Sequence, residues 1–161
     1  MGMEIERRFL VRGDAWRSLG AGTEYRQGFL STVKERVVRV RIAGDRATLT
    51  VKGVAVDLAR PEFEYPIPIE DARILLDTLC ERPLIEKTRY RIDHGGLTWE
   101  VDEFRGENQG LIVAEVELND ARQAVDLPPW VGQEVSEDSR YFNSNLVRVP
   151  FSRWGVGRES V

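Results

Sequence analysis

Apolar and polar residues alternate with a period of two along much of this chain, the mark of half-buried β-strands. From Met3 to Val11, Ile5, Phe9 and Val11 take one side while Glu4, Glu6 and Arg8 take the other. Arg36 to Ile42 sets Val38, Val40 and Ile42 against Arg39 and Arg41. A Gly44-Asp45 turn then returns Ala47 to Lys52 as a hairpin partner, with Leu49 and Val51 opposite Thr48, Thr50 and Lys52. Tyr25 to Ser31, Glu62 to Ile67 and Leu111 to Leu118 read as further strands. Ile85 to Ile92 and Leu97 to Phe104 read as a hairpin across Asp93-His94-Gly95-Gly96. A helical period replaces the alternation from Glu70 to Cys80, where Ala72, Leu75, Leu76 and Leu79 share a face. Shorter helices are expected over Asp14 to Leu19, after Asn119-Asp120, and over Ser139 to Leu146. Residues 53–60 and the stretch opened by Pro128-Pro129 read as loops.

The polar faces of these strands carry like charges in pairs: Glu4/Glu6, Arg39/Arg41, Glu62/Glu64, Lys87/Arg89 and Glu115/Glu117. Residues i and i+2 of a strand point to one side, about 7 Å apart. Equal charges placed so close destabilise a sheet unless opposite charge lies between them. An open sheet with one solvated face would also alternate, but solvated faces mix neutral polar residues with single charges. Repetition of like-signed pairs on strand after strand instead points to a polyvalent ligand, with phosphates for the cations and metal ions for the carboxylates. A closed antiparallel sheet would turn these charges inward and the hydrophobes outward, beneath helices or a partner subunit. Lys52 and Asp102 have the phase to join the inner set.

Composition narrows the reading. At 161 residues, with 42% hydrophobic and 31% charged residues, the chain is expected to form one soluble domain with its own core. The net charge of −4 argues against nucleic acid as a partner. No apolar run approaches the ~20 residues of a membrane span, and the first residues carry no apolar leader, so no membrane partner is expected. The single cysteine, Cys80, excludes an internal disulfide and suits a cytoplasmic location. Cys80 ends an amphipathic helix and is expected to pack, His94 to occupy an exposed turn, and Trp16, Trp99 and Trp130 to anchor core or loops.

Glu4-Ile5-Glu6-Arg7-Arg8 resembles the E-x-E-x-K signature of the CYTH superfamily, the triphosphate tunnel metalloenzymes. Further blocks match in order. They include Gln27-Gly28-Phe29-Leu30-Ser31, Leu49-Thr50-Val51-Lys52-Gly53, Glu86-Lys87-Thr88-Arg89-Tyr90, Ala114-Glu115-Val116-Glu117-Leu118 and Arg140-Tyr141-Phe142-Asn143-Ser144-Asn145-Leu146. The resemblance implies an α+β fold: a closed eight-stranded antiparallel β-barrel, or tunnel, with a charged lumen and flanking helices. It implies a single domain over residues 1–161 with a core of about 3–150, and it allows a homodimer. Members hydrolyse inorganic tripolyphosphate, nucleoside triphosphates or thiamine triphosphate, and some cyclise ATP. The short bacterial members most like this chain are chiefly inorganic triphosphatases, often labelled adenylate cyclase.

Carried onto this chain, the resemblance makes Arg8, Arg39, Arg41, Lys52, Lys87 and Arg89 the phosphate cradle. Glu4, Glu6, Glu115 and Glu117 become ligands for Mg²⁺ or Mn²⁺, hard cations that prefer carboxylate oxygen, water and phosphate. Glu62, Glu64 and Asp102 would hold the cations in place. Glu4, Glu6, Arg8, Lys52 and Glu117 are expected to carry the chemistry. One departure stands out: the signature lysine is Arg8, a planar fork in place of a compact ammonium. The expected activity is metal-dependent hydrolysis of inorganic tripolyphosphate. The alternatives are an adenylate cyclase, a nucleoside or thiamine triphosphatase, and a non-catalytic module that captures polyphosphate or nucleotide.

Overall fold

A computed structural model describes residues 2–155; residues 1 and 156–161 of the expected domain lie outside the described residues. In chain order the elements are β1 (Met3–Val11), β2 (Gly22–Ser31), β3 (Val37–Ala43), β4 (Arg46–Lys52), β5 (Ala59–Pro66), α1 (Ile69–Thr78), β6 (Ile85–His94), β7 (Leu97–Phe104), β8 (Ile112–Glu117), β9 (Val131–Glu134) and α2 (Asn143–Arg148). The strands lie in the order β5-β4-β3-β2-β6-β7-β8-β1, and β1 returns to β5 through Met3↔Pro61, Glu4↔Arg60 and Ile5↔Ala59. Eight antiparallel strands therefore close into a barrel, which removes the exposed sheet edges.

Strand β1 makes the closure. One edge meets β8 over Glu6 to Leu10. Its other edge is shared, with β5 along the first residues and β9 along the last, through Phe9↔Glu134 and Val11↔Val131. The sequence pattern does not show β9, because four residues that include Gly132 are too few to reveal alternation. The β6–β7 turn is also tighter than expected. Gly95 (φ +60°) and Gly96 (φ +80°) alone form it, since both central residues of such a turn need positive φ. Asp93 and His94 are thereby drawn into β6, opposite Thr98 and Leu97. His94 is half-buried beside Asp126 rather than exposed in the turn.

The short helices fare differently from α1. Asp14 to Leu19 holds only a 3₁₀ turn, Ala15–Ser18, whose Trp16 is fully buried. No helix follows Asn119-Asp120; Asp120 Oδ1 accepts from the Arg122 amide at 2.8 Å, an Asx turn that competes with helix formation. The segment Ser139 to Leu146 breaks at Phe142, which is extended (ψ 133°), between a 3₁₀ turn at Ser139–Tyr141 and α2. In α1, Glu70 and Asp71 sit in the first turn, where carboxylates favour the positive end of the helix dipole. Leu79 lies beyond the last turn of α1 and is exposed, contrary to its expected place on the apolar face.

Three apolar clusters hold the barrel. Outside β1, β7 and β8, Phe9, Trp99, Val101, Ala114 and Val116 lie under Trp16, Trp130 and Val131. Outside β3 and β4, Val40 and Ala47 lie under Ala72, Leu76 and Cys80. Burial of a side chain such as Leu76 stabilises by about 1.5–3 kcal/mol. The third cluster corrects the expectation that every inward position is polar. Leu10, Phe29, Val37, Ile85, Phe104 and Val113 share the inward phase, one inward step before or after Arg8, Gln27, Arg39, Lys87, Asp102 and Glu115 respectively. They form an apolar floor at one end of the barrel, sealed by Tyr141, Leu146, Val147 and Phe151. The outer face near Val51, Phe63 and Tyr65 is exposed. Among the described residues no helix is long and apolar enough to cross a membrane.

Candidate functional site in the barrel interior

Above the apolar floor, the barrel encloses a cavity of about 500 Å³ whose wall is mostly charged. Glu4, Glu6, Arg8, Arg39, Arg41, Lys52, Glu62, Glu64, Lys87, Arg89, Glu115 and Glu117 all line it. Asp102 is buried just behind the wall, beneath Lys87 and Arg89. Every charged residue singled out by strand phase therefore reaches one place. The exposed Arg46, Arg91 and Glu117 mark the mouth, and Phe29, Val37 and residues 142–144 mark the inner end.

The inner wall is a chain of ion pairs. Lys87 Nζ donates to Asp102 Oδ2 at 2.7 Å. Arg89 donates to both Asp102 oxygens, at 2.8 and 2.9 Å, and to Glu115 at 3.3 Å. Arg8 donates through Nε to Glu115 Oε2 at 2.9 Å and through Nη2 to Glu6 at 2.7 Å. Its guanidinium also rests over the Phe142 ring. Burial alone would raise the Asp102 and Glu115 pKa values, but their cationic partners outweigh it. Asp102 is held well below the usual carboxylate range, and Glu115 falls to about 2 under Arg8 and Arg89. Lys87 moves the other way: burial lowers its ammonium to about 7 despite Asp102.

Arg39 and Arg41 have fewer anionic partners. Arg39 Nη2 donates to Thr50 at 3.0 Å and to Glu64 at 3.2 Å, while its buried Nε has no partner. Arg41 Nε donates to the neutral Gln27 at 2.8 Å. Burial, with Arg39 and Arg89 nearby, lowers Arg41 to about 9. Arg41 thus lacks the anion that such burial ordinarily requires, and Arg39 has only Glu64.

The carboxylates nearer the mouth have the reverse problem. Burial first, then Glu115, raises Glu6 to about 8. Glu62 is raised by burial and Glu4, and Glu117 by burial with Glu4, Glu62 and Glu100. Lys52 lies 3.1 Å from Glu4 and 3.3 Å from Glu62, while Glu6 is paired with Arg8. The wall thus offers bare cationic donors to an anion and crowded carboxylates to a cation. Arg7, on the opposite phase, lies outside and pairs with Glu134 at 2.7 Å.

Sequence reasoning passed over several wall residues. Arg60 and Glu100 stand one inward step before Glu62 and Asp102, so strand phase could have found them. Glu100 pairs with Arg89 at 3.2 Å and Arg91 at 3.3 Å. Gln27, Thr48 and Thr50 are neutral, and like-charge pairing gives them no signal. Asn143 arrives from outside the barrel on α2, where no strand period applies.

The model for the CYTH domain matches residues 2–148. An inorganic triphosphatase of Acetivibrio thermocellus is 50% identical over 154 residues, covering 96% of this chain and 99% of that protein. An inorganic triphosphatase of Nitrosomonas europaea is 38% identical over 148 residues, covering 89% of this chain and 95% of the relative. A crystal structure of an inorganic triphosphatase superposes with a TM-score of 0.65 at 34% identity, over 91% of this chain and 95% of the other. A conserved hypothetical protein of Pyrococcus furiosus shares the fold at 18% identity (TM-score 0.57, 73% of this chain, 79% of that one). A family match over nearly the whole barrel, joined by relatives aligned end to end, establishes that the chain belongs to the CYTH family.

Proposed function

We propose that this chain is a metal-dependent triphosphatase that hydrolyses a phosphoanhydride bond of inorganic tripolyphosphate. The observation that carries the reading is the charge layout of the cavity, where under-neutralised guanidinia face crowded carboxylates across one enclosed space. Two relatives named inorganic triphosphatase, one at 50% identity, support it. The wall also favours inorganic substrate over nucleotide. Two of its three aromatic rings already carry guanidinia, with Arg41 and Arg89 over Tyr25 at 4.8 and 4.9 Å and Arg8 over Phe142 at 5.1 Å, and the third, Phe29, belongs to the apolar floor. That leaves little aromatic surface on which a purine could stack.

Arg8, Arg39, Arg41, Lys52, Lys87 and Arg89 bind and orient the phosphates. Phosphoryl transfer depends chiefly on positioning and charge neutralisation, which donors fixed in the cavity wall supply. Asp102, Glu62 and Glu64 keep those cations aimed inward. A carboxylate of the mouth takes the proton of the attacking water.

The carboxylates fit a divalent cation of the Mg²⁺ or Mn²⁺ type. Among the described residues no cluster of three or more acidic, histidine or cysteine side chains is poised to enclose a metal. Such cations need no such cage, since they bind through one or two carboxylates, water and substrate phosphate. Glu4, Glu6 and Glu117 would hold it, with Glu115 joining if its 3.3 Å contact to Arg89 opens. Bound there, the cation neutralises phosphate oxygens that would otherwise face bare carboxylates.

The test is phosphate release from tripolyphosphate, ATP and thiamine triphosphate, each with Mg²⁺ and with Mn²⁺. Fastest release from tripolyphosphate, and none without metal, is expected. Cyclic AMP formed from ATP faster than phosphate would make the protein a cyclase. Tight binding without turnover under every metal would make it a capture module.

A further inference from the structure

We propose that Asn143 is a substrate-positioning residue, which donates a hydrogen bond from its side-chain amide to a phosphate at the inner end of the cavity. The inference rests on the triphosphatase reading and adds a residue of the C-terminal segment to the barrel's cradle.

The orientation of the Asn143 amide follows from its neighbours. Lys87 Nζ lies 2.9 Å from Asn143 Oδ1, and Gln27 Nε2 lies 2.9 Å from the same oxygen. An ammonium has donors and no acceptor, so the group facing it must be the amide oxygen. Gln27 is oriented in turn, because its own oxygen accepts from Arg41 Nε at 2.8 Å. Arg41, Gln27, Asn143, Lys87 and Asp102 therefore form one chain of bonds in which each amide can point only one way.

With its oxygen committed, Asn143 turns its NH₂ aside. Nδ2 meets no acceptor among the described residues, and the residue lines the cavity between Phe142 and Ser144. Lys87 shows the same incompleteness. Two of its three donors go to Asp102 and Asn143, and beyond them the ammonium meets only the face of the Phe104 ring, 5.3 Å away. A neutral NH₂ and an ammonium proton thus sit side by side near the under-neutralised Arg41. A phosphate oxygen satisfies both at once, whereas a cation satisfies neither.

This role differs from packing. Asn143→Asp keeps an acceptor for Lys87 and Gln27 but replaces the donor with a negative charge on the wall. The added charge also repels the anion at a distance, so the deciding readout is the neutral Asn143→Ser in a Lys87→Met background, where a residue that only braced Lys87 would not weaken tripolyphosphate affinity further. A residue that touches phosphate would weaken it again. For tripolyphosphate with Mg²⁺, Asn143→Asp is expected to raise KM by about tenfold to a hundredfold. Its melting temperature without ligand should stay near the wild-type value. Asn143→Ser, which is neutral but too short to span the gap, reads the same KM should the first variant not fold. An unchanged KM in the folded variant overturns the proposal. Failure of the wild type to bind or cleave tripolyphosphate overturns the triphosphatase reading and this inference together. Wild-type turnover beside an unchanged variant KM removes only the role of Asn143.

Discussion

At the inner wall of the cavity, Lys87, Arg89 and Asp102 are fully or almost fully buried, and their contacts run from 2.7 to 2.9 Å. Nearer the mouth, Glu62 pairs with Lys52 and Glu6 with Arg8, yet burial plus mutual repulsion raises the pKa of Glu6, Glu62 and Glu117. Both regions descend from the same motif, two like charges on one strand face. The difference lies in what stands on the neighbouring strand. Lys87 and Arg89 of β6 meet Asp102 of β7, so cation faces anion and the three side chains hold one another in place. Glu6 of β1 stands beside Glu117 of β8, so acid faces acid there, and Glu6 leans on Arg8 at 2.7 Å. The inner wall is fixed by its own ion pairs, and the mouth is held short of balance.

Substitutions should pull these regions in opposite directions. Asp102→Asn would leave two buried cations facing a neutral amide. Removing one member of such a network costs about 3–5 kcal/mol, measurable as a lower urea midpoint. Added tripolyphosphate should restore part of that loss. Glu6→Gln should do the reverse, leaving the metal-free melting temperature at or above that of the wild type by relieving repulsion. Metal-dependent phosphate release should fall by about a hundredfold. A Glu6→Gln protein that loses stability and keeps its activity would erase the contrast.

pH separates stability from binding at the inner wall. Burial depresses the Lys87 ammonium to about 7, below its unfolded value of 10.5. The unfolded chain therefore holds the extra proton between those values, and stability from this group rises with pH across that window. Metal-free tripolyphosphate binding should run the other way, weakening as pH climbs through about 7 and the ammonium is lost. Calorimetry of wild type against Lys87→Met isolates the effect from the ligand's own titration. The same pH slope in both would reject it. Asp102 is depressed, so its contribution is present above its unfolded value of 3.8 and is lost as pH falls further.

The smallest change is expected at the boundary of the two regions, where Arg8 bridges Glu115 of the wall and Glu6 of the mouth. An Arg8→Lys substitution keeps the charge but lacks the fork. It should retain tripolyphosphate binding, free one carboxylate for the metal and raise turnover. Identical binding and turnover would show the fork to be neutral.

Strand phase made much of this legible. Because side chains alternate strictly in a strand, Glu4, Glu6, Arg39, Arg41, Lys87 and Arg89 could be assigned to one face before any fold was known. The same rule placed Arg7 outside. Elsewhere the local signal was too short. Strand β9 has only four residues, and the Asp120 side chain diverts a segment whose composition allows a helix. The apolar floor was misread for another reason. Leu10, Phe29, Val37, Ile85, Phe104 and Val113 lie at strand ends, where one more hydrophobe on the polar phase resembles an irregularity rather than a layer.

The sequence by itself determined which residues share a face, because that depends only on backbone period. It also determined that these faces are too charged to be core, and the ordered motifs carried the family. The tertiary structure alone decided which charges meet. That Glu6 stands beside Glu117, and Arg8 beside Glu115, depends on strand order and register, which join residues over a hundred positions apart. It alone also brought Asn143 against Lys87, because nothing in the local pattern of a C-terminal helix encodes its distance from a β6 ammonium.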